Sequence, residues 1–161
     1  MKEETVSKIH IEKAASSKIN EVDFSNLSFG SIFTDHMFTC DYKDGNWQTP
    51  KIIPYQSITL QPSARVFHYG QAVFEGMKAY KDDEDNIFLF RPDENFNRIN
   101  RSSKRLAIPE FPEDYFFEGL ESLLKLEREW IKKGYGNSLY IRPFVITTEA
   151  SVLASPSAEY K

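Results

Sequence analysis

Two helical segments lie in the middle of the sequence, and strand-like segments lie on both sides of them. The first helix is predicted to begin at Pro92, which suits a first helical turn and is followed by two acids, and to end before Pro109. The second is predicted to run from Pro112 to Gly134, because its large apolar residues recur at the helical period. Strands before and after a pair of helices predict an α+β domain.

Several stretches outside the helices have the composition of strands. Residues 32–40 are rich in β-branched and aromatic side chains. Residues 77–80 and 87–90 flank an acidic stretch that is typical of a hairpin loop. Residues 139–147 predict a last strand, which Pro143 interrupts.

Two further stretches give less regular predictions. Residues 47–60 contain Pro50 and Pro54, which favour extended chain at the edge of a sheet over a helix. Residues 69–74 are predicted to form a short helix, and Gly76 is expected either to end it or to allow a close approach of the backbone.

The composition bounds the class of protein. With 161 residues and 40% hydrophobic content, the chain can bury a sizeable core in one domain. Its formal charge of −4 argues against a nucleic-acid surface, which usually carries a basic excess. No stretch approaches the roughly 18 apolar residues of a membrane span, and the amino terminus lacks a secretory signal, so a cytoplasmic protein is expected. The single Cys40 excludes an intrachain disulfide, and the Cys/His spacing of a metal site is missing.

Four short blocks of sequence carry a more specific signal. They are residues 29–37 (FGSIFTDHM), residues 67–80 (FHYGQAVFEGMKAY), residues 89–98 (LFRPDENFNR) and residues 139–143 (LYIRP). In order and spacing these blocks resemble those of the branched-chain amino-acid aminotransferases, which are class IV enzymes that depend on pyridoxal phosphate. The resemblance runs from about Phe24 to the C-terminus.

The resemblance implies a particular fold and domain. It implies the small N-terminal domain of a fold-type-IV enzyme, similar to D-amino-acid aminotransferase, with a mostly antiparallel sheet and two main helices. On this basis residues 24–161 are expected to be the small domain, and residues 1–23, which are rich in Lys, Glu and Ser, are expected to be a partly ordered polar leader. In the family a further strand of the same domain follows this region, so the domain is expected to be incomplete at its C-terminal end.

Arg98 is the position at which the cofactor is expected to bind. Arg98, Arg101 and Arg105 share one face of the first predicted helix, and a solvated surface is expected for the last two. Arg98 resembles the family's phosphate-binding arginine, and a guanidinium group matches phosphate with two hydrogen bonds. Pyridoxal 5'-phosphate is therefore the cofactor implied for the full-length parent, although it is not expected to be bound to this chain alone.

Five further residues resemble the family's substrate site. Phe29 and Phe74 resemble the walls of a side-chain pocket, and Tyr69 resembles a tyrosine whose hydroxyl lies near substrate and cofactor. Tyr140 and Arg142 resemble a gate pair whose arginine meets the distal carboxylate of glutamate. An aromatic wall favours a branched apolar side chain by about 1.5–3 kcal/mol of burial, whereas a retractable arginine suits the acidic substrate.

No segment of the sequence resembles the family's cofactor-bearing lysine, so no catalytic residue is assigned. Lys78 and Lys104 lack that sequence context, and a lysine becomes a nucleophile only where burial or its neighbours lower its pKa. The 161-residue chain is therefore expected to be inactive alone. His36 and His68 are interpreted as structural residues, and Glu75 as a hydrogen-bond anchor of its motif.

Two functions remain open at this point. The first is part of a dimeric biosynthetic enzyme that transfers the amino group between leucine, isoleucine or valine and 2-oxoglutarate, with no nucleic-acid, membrane or metal partner. Because surfaces that pack in the parent would be uncovered, self-association through Tyr69, Phe74 and the strand around Tyr140 is expected. The alternative is a non-catalytic module that binds an anion or another chain through the Arg98 face and an exposed sheet edge.

Overall fold

The computed structural model describes residues 9–161, which form an α+β domain of small sheets and helices. In chain order the strands are β1 (His10–Ile11), β2 (His36–Thr39), β3 (Tyr42–Lys43), β4 (Asn46–Trp47), β5 (Lys51–Pro54), β6 (Ala72–Phe74), β7 (Met77–Lys81), β8 (Ile87–Leu89), β9 (Leu139–Ile141) and β10 (Phe144–Ile146). The α-helices are α1 (Arg65–Tyr69), α2 (Pro92–Arg105) and α3 (Glu113–Leu126), with 3-10 helices at Ile19–Glu21 and Arg128–Trp130. Mostly antiparallel strand pairs and two long helices confirm the predicted fold class.

One three-stranded sheet packs against helix α3. Strand β7 is its centre, and β8 and β9 pair with it in antiparallel register on either side. Met77 and Ala79 of β7 are buried in one apolar cluster with Leu120 and Leu124 of α3 and with Ile131. The acidic stretch between β7 and β8 forms the expected hairpin loop. Helix α3 therefore covers one face of this sheet and leaves the other face open.

A second apolar cluster forms beside helix α2. Val73 of β6 and Val145 of β10 lie opposite each other in an antiparallel pair, and Ile99 of α2 and Ile108 pack with them. Tyr160 completes the cluster with only 2% of its surface exposed. The backbone of Tyr160 exchanges hydrogen bonds with β3, and the backbone of the next residue does so with β10. The segment around Tyr160 is thus paired on both sides.

Strand β5 lies in the middle of the other three-stranded sheet, between β1 and β2. The prediction of a sheet edge over residues 47–60 is therefore wrong for this strand. β1 pairs with β5 in parallel register, with His10 opposite Lys51, and β2 pairs with it in antiparallel register. A two-residue strand in a polar stretch has too short a pattern to be recognised, so the second partner of β5 could not be predicted.

Part of the predicted leader belongs to the fold. Residues 1–8 lie outside the described residues, whereas Ile9 is buried and β1 pairs with β5. The Ser17 hydroxyl donates a hydrogen bond of 2.5 Å to the Asp35 carboxylate, and the Lys18 N–H donates one of 2.9 Å. Residues 9–18 are therefore joined to β5 by backbone hydrogen bonds and to Asp35, which precedes β2, by hydrogen bonds to its side chain.

His36 lies in a buried polar network next to this attachment, as expected of a structural histidine. Its Nδ1 pairs with the Glu127 carboxylate, and its Nε2 accepts a hydrogen bond from the Ala14 N–H at 2.8 Å. The neighbouring Asp35 accepts a hydrogen bond from the Trp130 indole at 3.0 Å. Burial raises the pKa of Glu127. At Asp35 burial acts in the same direction, but hydrogen bonds from the backbone and side chains outweigh it and lower the pKa.

The two long helices lie where the sequence predicts them, with one difference in length. Helix α2 begins at Pro92 and ends before Pro109. Helix α3 ends at Leu126 rather than near Gly134, because the chain continues as a 3-10 helix. Trp130, which the apolar period assigns to α3, belongs to this 3-10 helix and is buried.

The prediction of a helix over residues 69–74 is wrong. Helix α1 ends at Tyr69, because Gly70 takes a left-handed conformation with a φ of 62°, which caps a helix. Ala72–Phe74 pairs with β10 as strand β6 instead. Burial alternates along β6, as expected of a strand with one covered face.

Cys40 is a buried residue just after β2. The thiol donates a hydrogen bond to the Gln48 carbonyl at 3.1 Å, and burial raises its pKa to about 12. Residues 9–161 contain no group of three or more His, Cys, Asp or Glu side chains that could hold a metal ion. None of the helices within this range is long and apolar enough to cross a membrane.

Candidate functional site

The candidate site forms where two antiparallel strand pairs meet. Along the chain β6 is followed by β7, and β9 is followed by β10. In space β6 pairs with β10, and β7 pairs with β9. Phe74 is opposite Phe144 in the first pair, and Met77 is opposite Ile141 in the second. Residues 75–76, between β6 and β7, and residues 142–143, between β9 and β10, lie outside the named strands. One of these residues is Pro143, which has no N–H to donate.

Burial alternates along residues 72–80 without interruption across this junction. Successive side chains of a strand point to opposite faces of the sheet. Phe74 therefore lies on the exposed face, together with the position of Gly76, whereas Glu75 lies on the covered face. The junction thus presents different chemistry on its two faces.

Gly76 allows the Tyr140 side chain to lie against the backbone. A Cβ atom built on Gly76 would be 2.3 Å from the Tyr140 hydroxyl oxygen and 3.0 Å from Cζ of the ring. Such distances are far below ordinary van der Waals contact, so glycine is required while Tyr140 keeps this position. The predicted close approach of the backbone is confirmed. The Gly76 carbonyl also accepts a hydrogen bond from the Asn95 amide at 3.3 Å.

Phe29, Phe74, Tyr140 and Arg142 form one contiguous cluster on the exposed face. The Arg142 guanidinium carbon is 4.4 Å from the centre of the Phe74 ring and 5.2 Å from that of Tyr140. Arg142 Nε and Nη2 donate hydrogen bonds to the Tyr140 hydroxyl at 3.1 and 2.8 Å. Phe29 meets Tyr140 edge to face, with 5.0 Å between ring centres. Because Phe29 and Phe74 are 77% and 66% exposed, the cluster is an open aromatic surface around a cation.

Arg98 of helix α2 pairs with the buried carboxylate of Glu75 on the covered side of the junction. Glu75 is 2% exposed, and its two oxygens accept hydrogen bonds from Arg98 Nε and Nη2. One oxygen also accepts the Gly76 N–H at 2.7 Å, which confirms the interpretation of Glu75 as an anchor. The Glu75 N–H donates to the Pro143 carbonyl at 2.8 Å. The hydrogen bonds from Arg98 are the largest cause that lowers the pKa of Glu75.

The Arg98 guanidinium has free donors of the kind that a phosphate group requires. Its side chain remains 60% exposed despite the pairing with Glu75. Within the part of the chain that the structure describes, Arg98 Nη1 makes no hydrogen bond. A guanidinium fork binds an oxyanion through two parallel N–H groups, so Arg98 fits a phosphate at this edge. Arg101 and Arg105 of the same helix are exposed.

Tyr69 lies at the end of α1, and among the described residues no hydrogen bond or ring contact joins it to the aromatic cluster. Its hydroxyl donates a hydrogen bond to the Val152 carbonyl. Its ring, which is half exposed, lines a cavity of about 400 Å³ together with Arg65 and Ser155. The structure therefore brings four of the five predicted substrate residues together and leaves Tyr69 on a separate surface.

Sequence reasoning did not predict the contacts that these residues make. Glu75 and Arg98 lie on a strand junction and a helix, and no sequence pattern connects two such positions. The buried Arg65, which donates two hydrogen bonds to Ser155, was also missed, because a lone arginine gives no sign of burial. His68 is exposed and lies outside the cluster, with its ring Nε2 3.0 Å from a backbone carbonyl.

Comparison with known proteins identifies relatives of this chain. Branched-chain-amino-acid transaminase 1 of Bacillus subtilis is 52% identical over 139 residues, which are 86% of this chain and 39% of the relative. A probable branched-chain-amino-acid aminotransferase of Staphylococcus epidermidis is 48% identical over 155 residues, which are 96% of this chain and 43% of the relative. The chain is homologous to the branched-chain-amino-acid aminotransferases. It spans about 40% of the length of the curated relatives it matches. No family model matches the chain.

Solved structures agree with this relationship at the level of the fold. A branched-chain aminotransferase of Thermoproteus uzoniensis superposes with a TM-score of 0.54 and 19% identity, over 78% of this chain and 40% of that chain. The Escherichia coli branched-chain amino acid aminotransferase gives a TM-score of 0.53 and 21% identity, over 75% and 38%. The expected fold, a small α+β domain similar to that of the fold-type-IV aminotransferases, is confirmed.

Proposed function

We propose that this chain forms the substrate-facing part of an enzyme that transfers the amino group between branched-chain amino acids and 2-oxoglutarate. One observation carries the proposal: Arg142 lies between the Phe74 ring and the Tyr140 hydroxyl in an open aromatic cluster. This surface offers apolar walls to a leucine, isoleucine or valine side chain and a cation to the distal carboxylate of glutamate. Homology to branched-chain-amino-acid aminotransferases supports the proposal.

Pyridoxal 5'-phosphate is the proposed cofactor, with Arg98 as a ligand of its phosphate. When bound, this cofactor supplies the carrier of the amino group and the electron sink for the reaction. The exposed edge of Arg98 would hold the phosphate, and the charge of the arginine would offset that of the anion. The lysine that carries the cofactor is proposed to lie in a part of the enzyme outside these 161 residues.

Arg142 is suited to a site that must accept two kinds of substrate. The aromatic walls of Phe29, Phe74 and Tyr140 exclude water from a branched side chain, and its burial contributes about 1.5–3 kcal/mol. Arg142 is exposed, and its hydrogen-bond acceptor is a neutral hydroxyl rather than a carboxylate. It can therefore exchange this acceptor for a substrate carboxylate, because a charge-assisted hydrogen bond is stronger than a neutral one.

Tyr69 is assigned to the site of a second subunit in a cytoplasmic homodimer. Its hydroxyl donates a hydrogen bond to the Val152 carbonyl, which ties Tyr69 to the surface around residues 152–156. Tyr69 also lies away from the aromatic cluster, as expected if the two surfaces serve different copies of the site. The uncovered surfaces of the chain are proposed to cause self-association.

A chimera tests the proposal. The 139 matched residues would replace their counterpart in the Bacillus subtilis transaminase 1, and the chimera is expected to transfer the amino group from leucine to 2-oxoglutarate. Arg142→Ala should raise KM for 2-oxoglutarate by roughly 10–100-fold, the equivalent of one lost charge-assisted hydrogen bond, and change KM for leucine less. Arg98→Ala should weaken cofactor retention, whereas Arg101→Ala, on the exposed surface of the same helix, should not.

Two outcomes decide between the proposed functions. A chimera that folds and retains its cofactor but transfers no amino group would contradict the enzyme proposal and favour an anion-binding module. The 161-residue chain alone is expected to be inactive, and transfer of an amino group by that chain would show that the lysine assignment is wrong.

A further inference from the structure

Glu75 places a negative charge beside the proposed phosphate site. Its carboxylate is 2% exposed and is bonded to Arg98, the arginine to which the proposed function assigns an anion. A like charge near an anion site weakens binding, so a carboxylate in this position opposes the attraction that Arg98 supplies. The carboxylate can favour phosphate binding only through its effect on the orientation of the Arg98 guanidinium.

We propose that Glu75 is a positioning residue, which fixes the guanidinium of Arg98 so that its Nη1–Nη2 edge faces the phosphate. This inference rests on the proposed function, because that function makes Arg98 the phosphate ligand. Glu75 touches neither the phosphate nor the reacting atoms, and it acts only through Arg98.

The hydrogen bonds of the pair divide the guanidinium into two edges. A guanidinium carries five N–H donors in one plane: one on Nε and two on each Nη. Glu75 accepts from Nε and from Nη2 of Arg98, and so occupies one side edge of the plane. One N–H on Nη2 and one on Nη1 then point away along the other edge, which has the parallel geometry that a phosphate accepts.

Glu75 is itself held in one direction. One of its oxygens accepts the Gly76 N–H at 2.7 Å, and its own N–H donates to the Pro143 carbonyl at 2.8 Å. The pKa of Glu75 is lowered chiefly by the hydrogen bonds from Arg98, so the carboxylate is charged at neutral pH. An anchored and charged carboxylate can fix a long side chain that is otherwise 60% exposed and free to rotate.

The same segment sets the distance between the two proposed sites. Phe74, a wall of the substrate cluster, and Gly76, which receives Tyr140, directly flank Glu75 in the sequence. Because Glu75 points to the opposite face and holds Arg98, the substrate wall and the phosphate ligand are both tied to three consecutive residues. Movement of this segment would therefore shift both sites together.

The direction in which one substitution changes phosphate affinity distinguishes a positioning role from a purely electrostatic one. Glu75→Gln removes the negative charge and keeps the side-chain shape. If Glu75 acted only as a nearby charge, this variant would bind phosphate more tightly. If Glu75 positions Arg98, the variant should bind phosphate about tenfold more weakly, because the edge of the fork is no longer aligned.

The experiment follows the side-chain N–H signals of Arg98 in the 161-residue chain by nuclear magnetic resonance. Inorganic phosphate and pyridoxal 5'-phosphate are titrated, and pyridoxal serves as the comparison without a phosphate. This chain alone is not expected to retain the cofactor, but at millimolar concentration we expect weak, reversible contact of both phosphate compounds, and not of pyridoxal, to shift the Arg98 signals of the unchanged chain. In Glu75→Gln we expect weaker phosphate binding and faster rotation of the guanidinium. Glu121→Gln, which breaks the exposed pair with Lys125 on helix α3, should alter neither property.

Each result bears on the inference. Phosphate binding at Arg98 that is unchanged or tighter in Glu75→Gln would overturn the positioning role and leave the proposed function intact. If neither phosphate compound shifts the Arg98 signals of the unchanged chain, the phosphate assignment is wrong, and so is the inference that rests on it. If Glu75→Gln does not fold, Glu75→Asp carries the same comparison: it keeps the charge but shortens the reach, so weaker binding supports positioning and unchanged binding refutes it.

Discussion

Replacing Gly76 by alanine should displace the Tyr140 side chain from the candidate site. The new Cβ would lie 2.3 Å from the Tyr140 hydroxyl and 3.0 Å from Cζ. The backbone of Tyr140 pairs in register opposite Lys78 of β7, so the ring rather than the strand must move. This movement would separate Tyr140 from Phe29 and remove the acceptor of the Arg142 hydrogen bonds.

The expected cost follows from the contacts that are lost. The edge-to-face pair of Phe29 and Tyr140 contributes about 0.5–1.5 kcal/mol. The bonds from the exposed Arg142 contribute about 0.5–1.5 kcal/mol in total, since water replaces the hydroxyl. Gly76 is not among the residues with positive φ, so alanine there also stabilises the fold by about 0.4–1 kcal/mol through the unfolded chain. The net loss in the free energy of unfolding is therefore about 1.3 kcal/mol at the middle of these ranges, within limits of about 0–2.6 kcal/mol.

Urea unfolding of four chains measures this loss and its cause. Gly76→Ala is compared in the unchanged chain and in a Tyr140→Ala background, where the atoms that the Cβ would meet are absent. In that background Gly76→Ala should be neutral or slightly stabilising. An equal cost in both backgrounds would refute the reasoning, because it would show that Tyr140 is not what requires glycine at this position.

Three further predictions concern buried groups. With its pKa raised to about 12, the Cys40 thiol should react with a thiol reagent at neutral pH about a thousandfold more slowly in the folded chain than in urea; equal rates would contradict its burial. Tyr160→Ala should lower the free energy of unfolding by about 3 kcal/mol, whereas Tyr160→Phe, which keeps the ring, should cost only about 1 kcal/mol. Because the pKa of Asp35 is lowered on folding, its contribution to stability is present above the unfolded pKa of about 3.9. This contribution is lost as the pH falls through the lower folded pKa. Urea unfolding at several pH values should show that Asp35→Asn removes this acid dependence.

The parts of the fold that the sequence predicts are those with local signals. The opening of α2 at Pro92 depends on residues next to it, as does the hairpin between β7 and β8. The central position of β5 depends instead on β1, whose two residues are distant in the sequence and carry no strand pattern. The helix wrongly predicted over residues 69–74 has a similar cause, because strand β6 exists through its pairing with β10.

The site could not be predicted from residue patterns without the family resemblance. Aromatic residues are usually buried, so Phe29 and Phe74 would be placed in the core, whereas both are largely exposed. Helical periodicity places Arg98 and Arg101 close together and does not distinguish them. They differ because Glu75, from a strand junction, pairs with Arg98 and, among the described residues, not with Arg101.

The junction between the strand pairs explains how one short segment would serve the two proposed sites, which have opposite requirements. A phosphate ligand needs a fixed guanidinium, and Arg98 is held by a buried carboxylate. An arginine that must bind alternative substrates needs a hydrogen-bond acceptor that it can release, and Arg142 donates to the Tyr140 hydroxyl on the exposed face. The alternation of side chains sends Glu75 to the covered face and keeps its neighbours on the exposed face. A shift of one residue in register would exchange these faces, and would leave Arg98 without its carboxylate and Arg142 without its aromatic wall.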